Sequence, residues 1–282
     1  MSDAPNRPAG ADAPRSGRGD LTYGSYLALP ELLALQRPQS RPEHPDELLF
    51  IVVHQASELW FKVILHELDA LIAQMQAGEV AGSLAAIKRV NALVGIVTAQ
   101  LSALETLPPQ HFVEFRGYLG TSSGSQSEQF RAIEAVSGVR GQHFMQALTD
   151  HGEIPPLVRR ALDRPTLQEL LTGLFEHHGT TVDEVYRAER PTPLFLLAES
   201  LLEYEQGFAL WRFLHVQLVE RIIGPGTTGT GGTLGARYLQ RTIAQRFFPL
   251  LWEARTRVFE ATEGRGPEPD GERSSPRGGP AE

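Results

Sequence analysis

The stretch from His44 to Gly78, HPDELLFIVVHQASELWFKVILHELDALIAQMQAG, has no glycine or proline between Pro45 and Gly78 and carries apolar residues at helical spacing. It predicts one long helix, opened by Pro45 and Asp46 and closed by Gly78. A helix this long and apolar must be covered by others. Two more stretches read the same way. One is GSLAAIKRVNALVGIVTAQLSALETLPP, with Ser83 as the expected N-cap and Pro108 as the stop. The other is PTPLFLLAESLLEYEQGFALWRFLHVQLVERIIGPG, closed by Gly224 and Pro225. Shorter helices are expected in YLALPELLALQ, with Pro30 near its start, and in SSGSQSEQFRAIEAVSG, leaving at Gly138. A further helical stretch, TLGARYLQRTIAQRFFPLLWEARTRVFEAT, is interrupted at Pro249. Alternating strand patterns bounded by Asn-Gly or Asp-Gly turns are missing. The expected class is all-α, a bundle of long helices with smaller helices packed on it.

Residues 1–20 and 262–282 are rich in Pro, Gly, Ser and charge, and both are expected to be disordered tails. That leaves 21–261 as a single domain. The formal net charge of −8 does not suggest a nucleic-acid partner. No unbroken apolar run reaches the roughly 18–20 residues a bilayer requires, and the N-terminus lacks the apolar core of a signal peptide. A soluble cytoplasmic protein without a membrane partner is the expectation. Cysteine is absent, which excludes disulfides, zinc ribbons, iron–sulfur clusters and thiolate-held haem.

Any metal centre must therefore use His, Asp, Glu or a cofactor. Phe50, His54 and Phe61 share a face of the first long helix, continued by Leu65. Glu58 and Lys62, four apart, are expected as an exposed or partly exposed pair on another face. His215 sits mid-helix on a second apolar face, with Trp211 a turn before it and Leu218, Val219 and Ile222 after it. Two such helices could sandwich a flat cofactor, or they could hold two unrelated core histidines. The Glu-x-x-His pair of a di-metal bundle is missing, as is His-Glu-x-x-His. A cofactor held by one axial histidine fits these exclusions, with haem b the leading case. Arg116, among aromatics in FVEFRGYLG, could clamp a carboxylate, or it could be a surface arginine stacked on a ring. The hydroxyls of TSSGSQS could serve a ligand or merely cap a helix. The Gly- and Thr-rich segment from Gly224 to Gly235 suits a lid but equally a plain connection, and it is not a phosphate loop.

The ordered combination of LTYGSYL, ELLFIVVHQ, ELWFK, SSG-QS-QFR, WRF-HV-LVERIIG and GTGG resembles the tryptophan 2,3-dioxygenase family from about Leu21 to Val258. That resemblance implies an all-α, homotetrameric, cytosolic enzyme with one haem b per subunit, held between helices. It implies insertion of both atoms of O2 across the indole C2–C3 bond of L-tryptophan, giving N-formylkynurenine. By the same resemblance His215 is the axial iron ligand and His54 the distal residue that takes the indole N–H. Arg116 would bind the substrate carboxylate, and Thr230 would close on the substrate ammonium and carboxylate. Phe50 and Phe112 would pack the indole, joined in their apolar surroundings by Trp60. Ser123 would lie near the haem edge. Tyr23 and Tyr26 would reach a neighbouring subunit's pocket. Departures are Ser57 and Ser125 at positions usually aromatic, Leu214 at a position usually arginine, and a Gly-rich loop one residue longer. They keep open a specialised relative that adds one oxygen to a substituted tryptophan, giving a 2-oxindole. A haem-binding sensor or carrier without turnover is a third reading, needing only His215.

Overall fold

A computed structural model of the chain describes residues 21–149, 152–227 and 236–263, without the side chains of 236–238, 262 and 263. Every regular element among them is helical. The expected tails fall outside these residues except at 262 and 263, which end the last helix. So do Thr230 and most of the Gly-rich segment.

Two single turns, α1 (Tyr23–Tyr26) and α2 (Leu29–Leu32), lead in, and Thr22 caps the first through Ser25. The long helix α3 (Pro45–Gln76) follows as expected. His44 caps it, accepting the Asp46 N–H on Nδ1 at 3.2 Å, while Asp46 and Glu47 complement the positive end of the helix dipole. Gly78 leaves the helix at φ 78°, a conformation glycine adopts without a Cβ clash.

The second helix corrects one expectation. α4 (Val80–Ala99) begins before Ser83, with Glu79 at the cap, and a one-residue break at Gln100 leads into α5 (Leu101–Leu104). Ser83 is fully buried and donates to the Glu79 carbonyl at 2.8 Å. Gly82 stays inside the helix, where a Cβ would run into Gln74 of α3. Next come α6 (Pro109–Arg116), two 3-10 turns (Gly117–Leu119 and Gly124–Gln126) and α7 (Glu128–Val136). Four short helices follow: α8 (Gln142–Thr149), α9 (Pro156–Leu162), α10 (Leu167–His177) and α11 (Val182–Arg187). α12 (Pro193–Ile223) is the second long helix, capped by Thr192. α13 (Ala236–Ile243) and α14 (Pro249–Glu263) are separated by residues 244–248, so the interruption precedes Pro249, which opens α14.

α3, α4 and α12 form the bundle. Ile64, Leu71, Ile87, Val90, Leu197 and Leu201 are fully buried between them. By length and composition α3 and the stretch 80–104 are apolar enough to cross a bilayer, which a search for an unbroken apolar run overlooks. Here their inner faces build the core instead. Gly207 lets α12 approach α4 closely, since a Cβ there would stand 2.9 Å from Val94 Cγ1. Glu205, fully buried on α12, anchors the corner between α13 and α14. Its Oε2 accepts the Phe247 and Phe248 N–H groups at 2.6 and 2.8 Å. Its Oε1 accepts Trp252 Nε1–H at 2.7 Å and Arg246 Nη1–H at 3.1 Å.

Candidate active site

The bundle leaves a cavity of about 280 Å³ between α3, α6, α7, α12 and α13. His54 comes from the α3 wall and His215 from the α12 wall. Phe50, Phe112, Leu218 and Ile222 make an apolar region, and Arg116 and Ser123 also line it. Residues more than 160 positions apart therefore meet in one space because α3 and α12 both pack on α4.

His54 is exposed on its helix and lines the cavity, where the neighbouring walls still desolvate its ring. Its Nδ1 lies 2.7 Å from the Phe50 carbonyl oxygen. A carbonyl only accepts, so Nδ1 carries the proton and donates it, and Nε2 is left as an acceptor. Burial pushes the imidazole below its usual pKa, against the Phe50 carbonyl and the nearby Glu58 charge, which favour the cation. His54 is thus a neutral acceptor at neutral pH. Phe50 packs on it with ring centres 4.2 Å apart.

His215 is also neutral. Burial, reinforced by the proximity of His54, pushes its pKa down to about 4. Trp211 lies almost parallel to it, at 13° with centres 5.2 Å apart. Arg116 ends α6, one turn after Phe112, so one short helix delivers both to the cavity. Phe112 in turn packs on Phe50 and Phe115, with ring centres 5.6 and 5.3 Å away.

Other expectations change. Trp60 packs against the main core and does not line the cavity. Glu58 is not an exposed partner of Lys62. It lines the cavity, and Gln129 Nε2 donates to both its Oε2 and its backbone oxygen at 2.8 Å. The i,i+4 reading failed because α7 brings Gln129 against α3. Tyr23 and Tyr26 are exposed, at 76 % and 70 %, and do not line their own chain's cavity. Thr230 lies outside the described residues.

The two serine departures are accounted for locally. The Ser57 hydroxyl donates to the Val53 carbonyl at 2.9 Å and accepts Gln100 Nε2–H at 2.6 Å. Ser125 Oγ lies 3.0 Å from Ser123 Oγ, both on the cavity wall. Leu214 packs with Val53, Leu101, Leu104 and Leu218 in an apolar cluster beside the cavity.

One polar group at the site was not expected. Glu134, buried on α7, accepts from Arg131 Nη1 at 2.5 Å and from Arg212 Nη2 at 3.0 Å, and all three line the cavity. This ion network ties α7 to α12 one turn from His215. The spacing Arg-x-x-Glu in QFRAIE was the only local trace of it. Among the described residues no cluster of three or more His, Asp or Glu side chains could bind a bare metal ion.

The chain matches a family model described as tryptophan 2,3-dioxygenase over residues 9–154 and 172–258. It is 40 % identical over 263 residues to the tryptophan 2,3-dioxygenase of Caulobacter vibrioides, covering 85 % of this chain and 99 % of that protein. It is 39 % identical over 264 residues to that of Anaeromyxobacter dehalogenans, covering 86 % and 98 %. With that of Xanthomonas euvesicatoria it shares 38 % over 276 residues, covering 89 % and 91 %.

Proposed function

The chain belongs to the tryptophan 2,3-dioxygenase family, and we propose that the cavity between His54 and His215 is its active site. It is an oxidoreductase that cleaves the indole C2–C3 bond of L-tryptophan with O2 to give N-formylkynurenine, the first step of tryptophan degradation by the kynurenine route. The observation that carries the site assignment is the convergence of His54, His215 and Arg116 on one cavity.

The residues present fit haem b, one per subunit. His215 is a neutral imidazole on the cavity wall, the surroundings are largely apolar, and the described residues hold no competing metal cluster. His215 would be the axial ligand. Haem, when bound, supplies the ferrous iron that activates O2. The protein must then hold the indole still, in register and away from water.

His54 Nε2 accepts the indole N–H and so sets the rotation of the ring. It does this as a neutral hydrogen-bond acceptor, not as a cation. Phe50 and Phe112 cover the indole faces. The zwitterionic end of the substrate would cost several kcal/mol if buried unpaired. Arg116 pairs the carboxylate through its planar fork, and Thr230 closes on the ammonium and carboxylate. Ser123, with Ser125 beside it on the cavity wall, would lie near the bound cofactor.

The assembly is a homotetramer in the cytoplasm. An exposed apolar stripe on α3, Leu48, Val52, Leu59 and Val63, supports contact between copies, as do exposed Leu210 and Phe213 on α12. Tyr23 and Tyr26 reach a neighbour's pocket, which accords with their exposure on their own chain. The test is aerobic incubation of the haem-loaded, reduced protein with L-tryptophan. The expected product carries two added oxygens and absorbs in the near ultraviolet. Its absence would sink the assignment. A product with one added oxygen would instead indicate the 2-oxindole-forming relative, which the curated relatives do not favour.

A further inference from the structure

Trp211 sits at a junction. It packs against the main core of the bundle and also against the apolar cluster of Val53, Leu101, Leu104 and Leu218 beside the cavity. Its ring contacts Phe130, with centres 4.9 Å apart at 40°, and Phe61, 6.2 Å away at 79°, and all three line the cavity. Phe61 and Phe130 are themselves buried, at 4 % and 8 % exposure. Trp211 also lies against His215 at 13°, with centres 5.2 Å apart. The two are four apart on α12, so they stack along one helix face.

Trp211 Nε1–H has no hydrogen-bond partner among the described protein atoms. Within the protein its position is set by ring contact, with two phenylalanines and one imidazole.

We propose that Trp211 is a positioning residue for the axial ligand: the Phe61–Phe130–Trp211 stack fixes the plane of the His215 ring and thereby the orientation in which it meets iron. This rests on the assignment of His215 as the axial ligand. An imidazole on a helix can turn about its side-chain torsions. A parallel ring pressed against it removes that freedom, and buried phenylalanines stop the pressing ring from yielding. The plane of the imidazole governs its overlap with the iron orbitals. A loose ring would give several geometries where a fixed ring gives one.

The test compares Trp211→Phe, Trp211→Leu and His215→Ala with the parent protein, all haem-loaded. The readouts are the iron–imidazole stretching band of the ferrous protein and the rate of haem transfer to an excess of apomyoglobin. Trp211→Phe keeps a flat ring and loses the orphan donor, so it should retain a narrow band and the parent rate. Trp211→Leu should broaden or split the band and speed haem loss about tenfold, the scale of one aromatic stacking contact at its upper end. If Trp211→Leu does not fold, Phe130→Leu, which removes one ring contact and leaves the indole, carries the same expectation of a broadened band. Parent-like behaviour of the leucine variant that folds would overturn the proposal. Equal damage in Trp211→Phe and Trp211→Leu would also overturn it, because the N–H and not the stack would then matter. Should His215→Ala keep haem and the same band, the axial assignment itself has failed. If it loses haem while Trp211→Leu is unchanged, only the positioning role has failed.

Discussion

Replacing Glu205 by glutamine changes one atom in a site that is fully buried. The carboxylate accepts four hydrogen bonds, two on each oxygen. Glutamine can accept at one end only, and its NH2 must face two donors at the other. If the NH2 faces Phe247 and Phe248, two buried backbone N–H groups lose their acceptor. If it faces Arg246 and Trp252, the arginine can turn outward, since its side chain is 51 % exposed, and only Trp252 Nε1–H is stranded. The second arrangement is cheaper. One stranded donor costs about 1–3 kcal/mol, and the lost charge assistance to the remaining bonds adds to it, giving about 3 kcal/mol. For a domain of this size that is a fall in Tm of roughly 6–12 °C. Thermal melting of the haem-free protein at pH 7, followed by circular dichroism, measures it. Glu205→Ala should fall further, because both backbone N–H groups are then orphaned beside a new cavity. A Glu205→Gln protein that melts within about 1 °C of the parent would refute the reasoning, since even one buried unsatisfied donor should exceed that. Leu239 and Thr242 of α13 line the cavity, so the loosened corner should also weaken tryptophan binding.

His215→Ala should abolish stable haem binding, whereas His54→Ala should keep haem and lose only part of the activity; equal haem loss in both, read from the Soret band, would show a misassigned ligand. Arg116→Ala should weaken L-tryptophan binding by at least about tenfold, the value of one charge-assisted contact, with much less effect on indole, which has no carboxylate. For pH, the folded haem-free chain holds the His215 pKa at about 4, below the ordinary 6.5, so the unfolded chain takes up the proton first as pH falls. Stability is then complete above pH 6.5 and is lost progressively down to about pH 4, by about 3 kcal/mol from this group. Urea unfolding at a series of pH values should show that slope, and His215→Leu should flatten it; an unchanged slope would assign it to other groups.

The long helices were readable because their punctuation is strong. Pro45 and Gly78 bound α3, and Thr192 and Gly224 bound α12. The start of α4 was misread because Ser83 looks like a cap, while Gly82 serves the packing of α3 against α4. The short helices α10 and α11 were passed over for want of long periodic runs. Their signals were the capping boxes Thr166-Glu169 and Thr181-Glu184. In the site, His54 and His215 stood out as lone polar residues on apolar faces. The Glu134 network and the Gln129 contact to Glu58 did not, because each joins helices that sequence distance conceals. Trp60 and Trp211 carry the same side chain and both pack on the main core, and packing alone decides that Trp211 also lines the cavity.

The bond from His54 Nδ1 to the Phe50 carbonyl has a chemical corollary. The imidazole spends its one proton on its own helix, so it shows the cavity a lone pair. A benzofuran or benzothiophene analogue has nearly the shape of indole but carries a lone pair and no hydrogen at the ring position where indole has its N–H. In the proposed binding mode such isosteres would meet repulsion where tryptophan would meet a partner. The wall would then sort flat bicyclic rings by the direction in which a single proton points, through a bond four residues long inside α3.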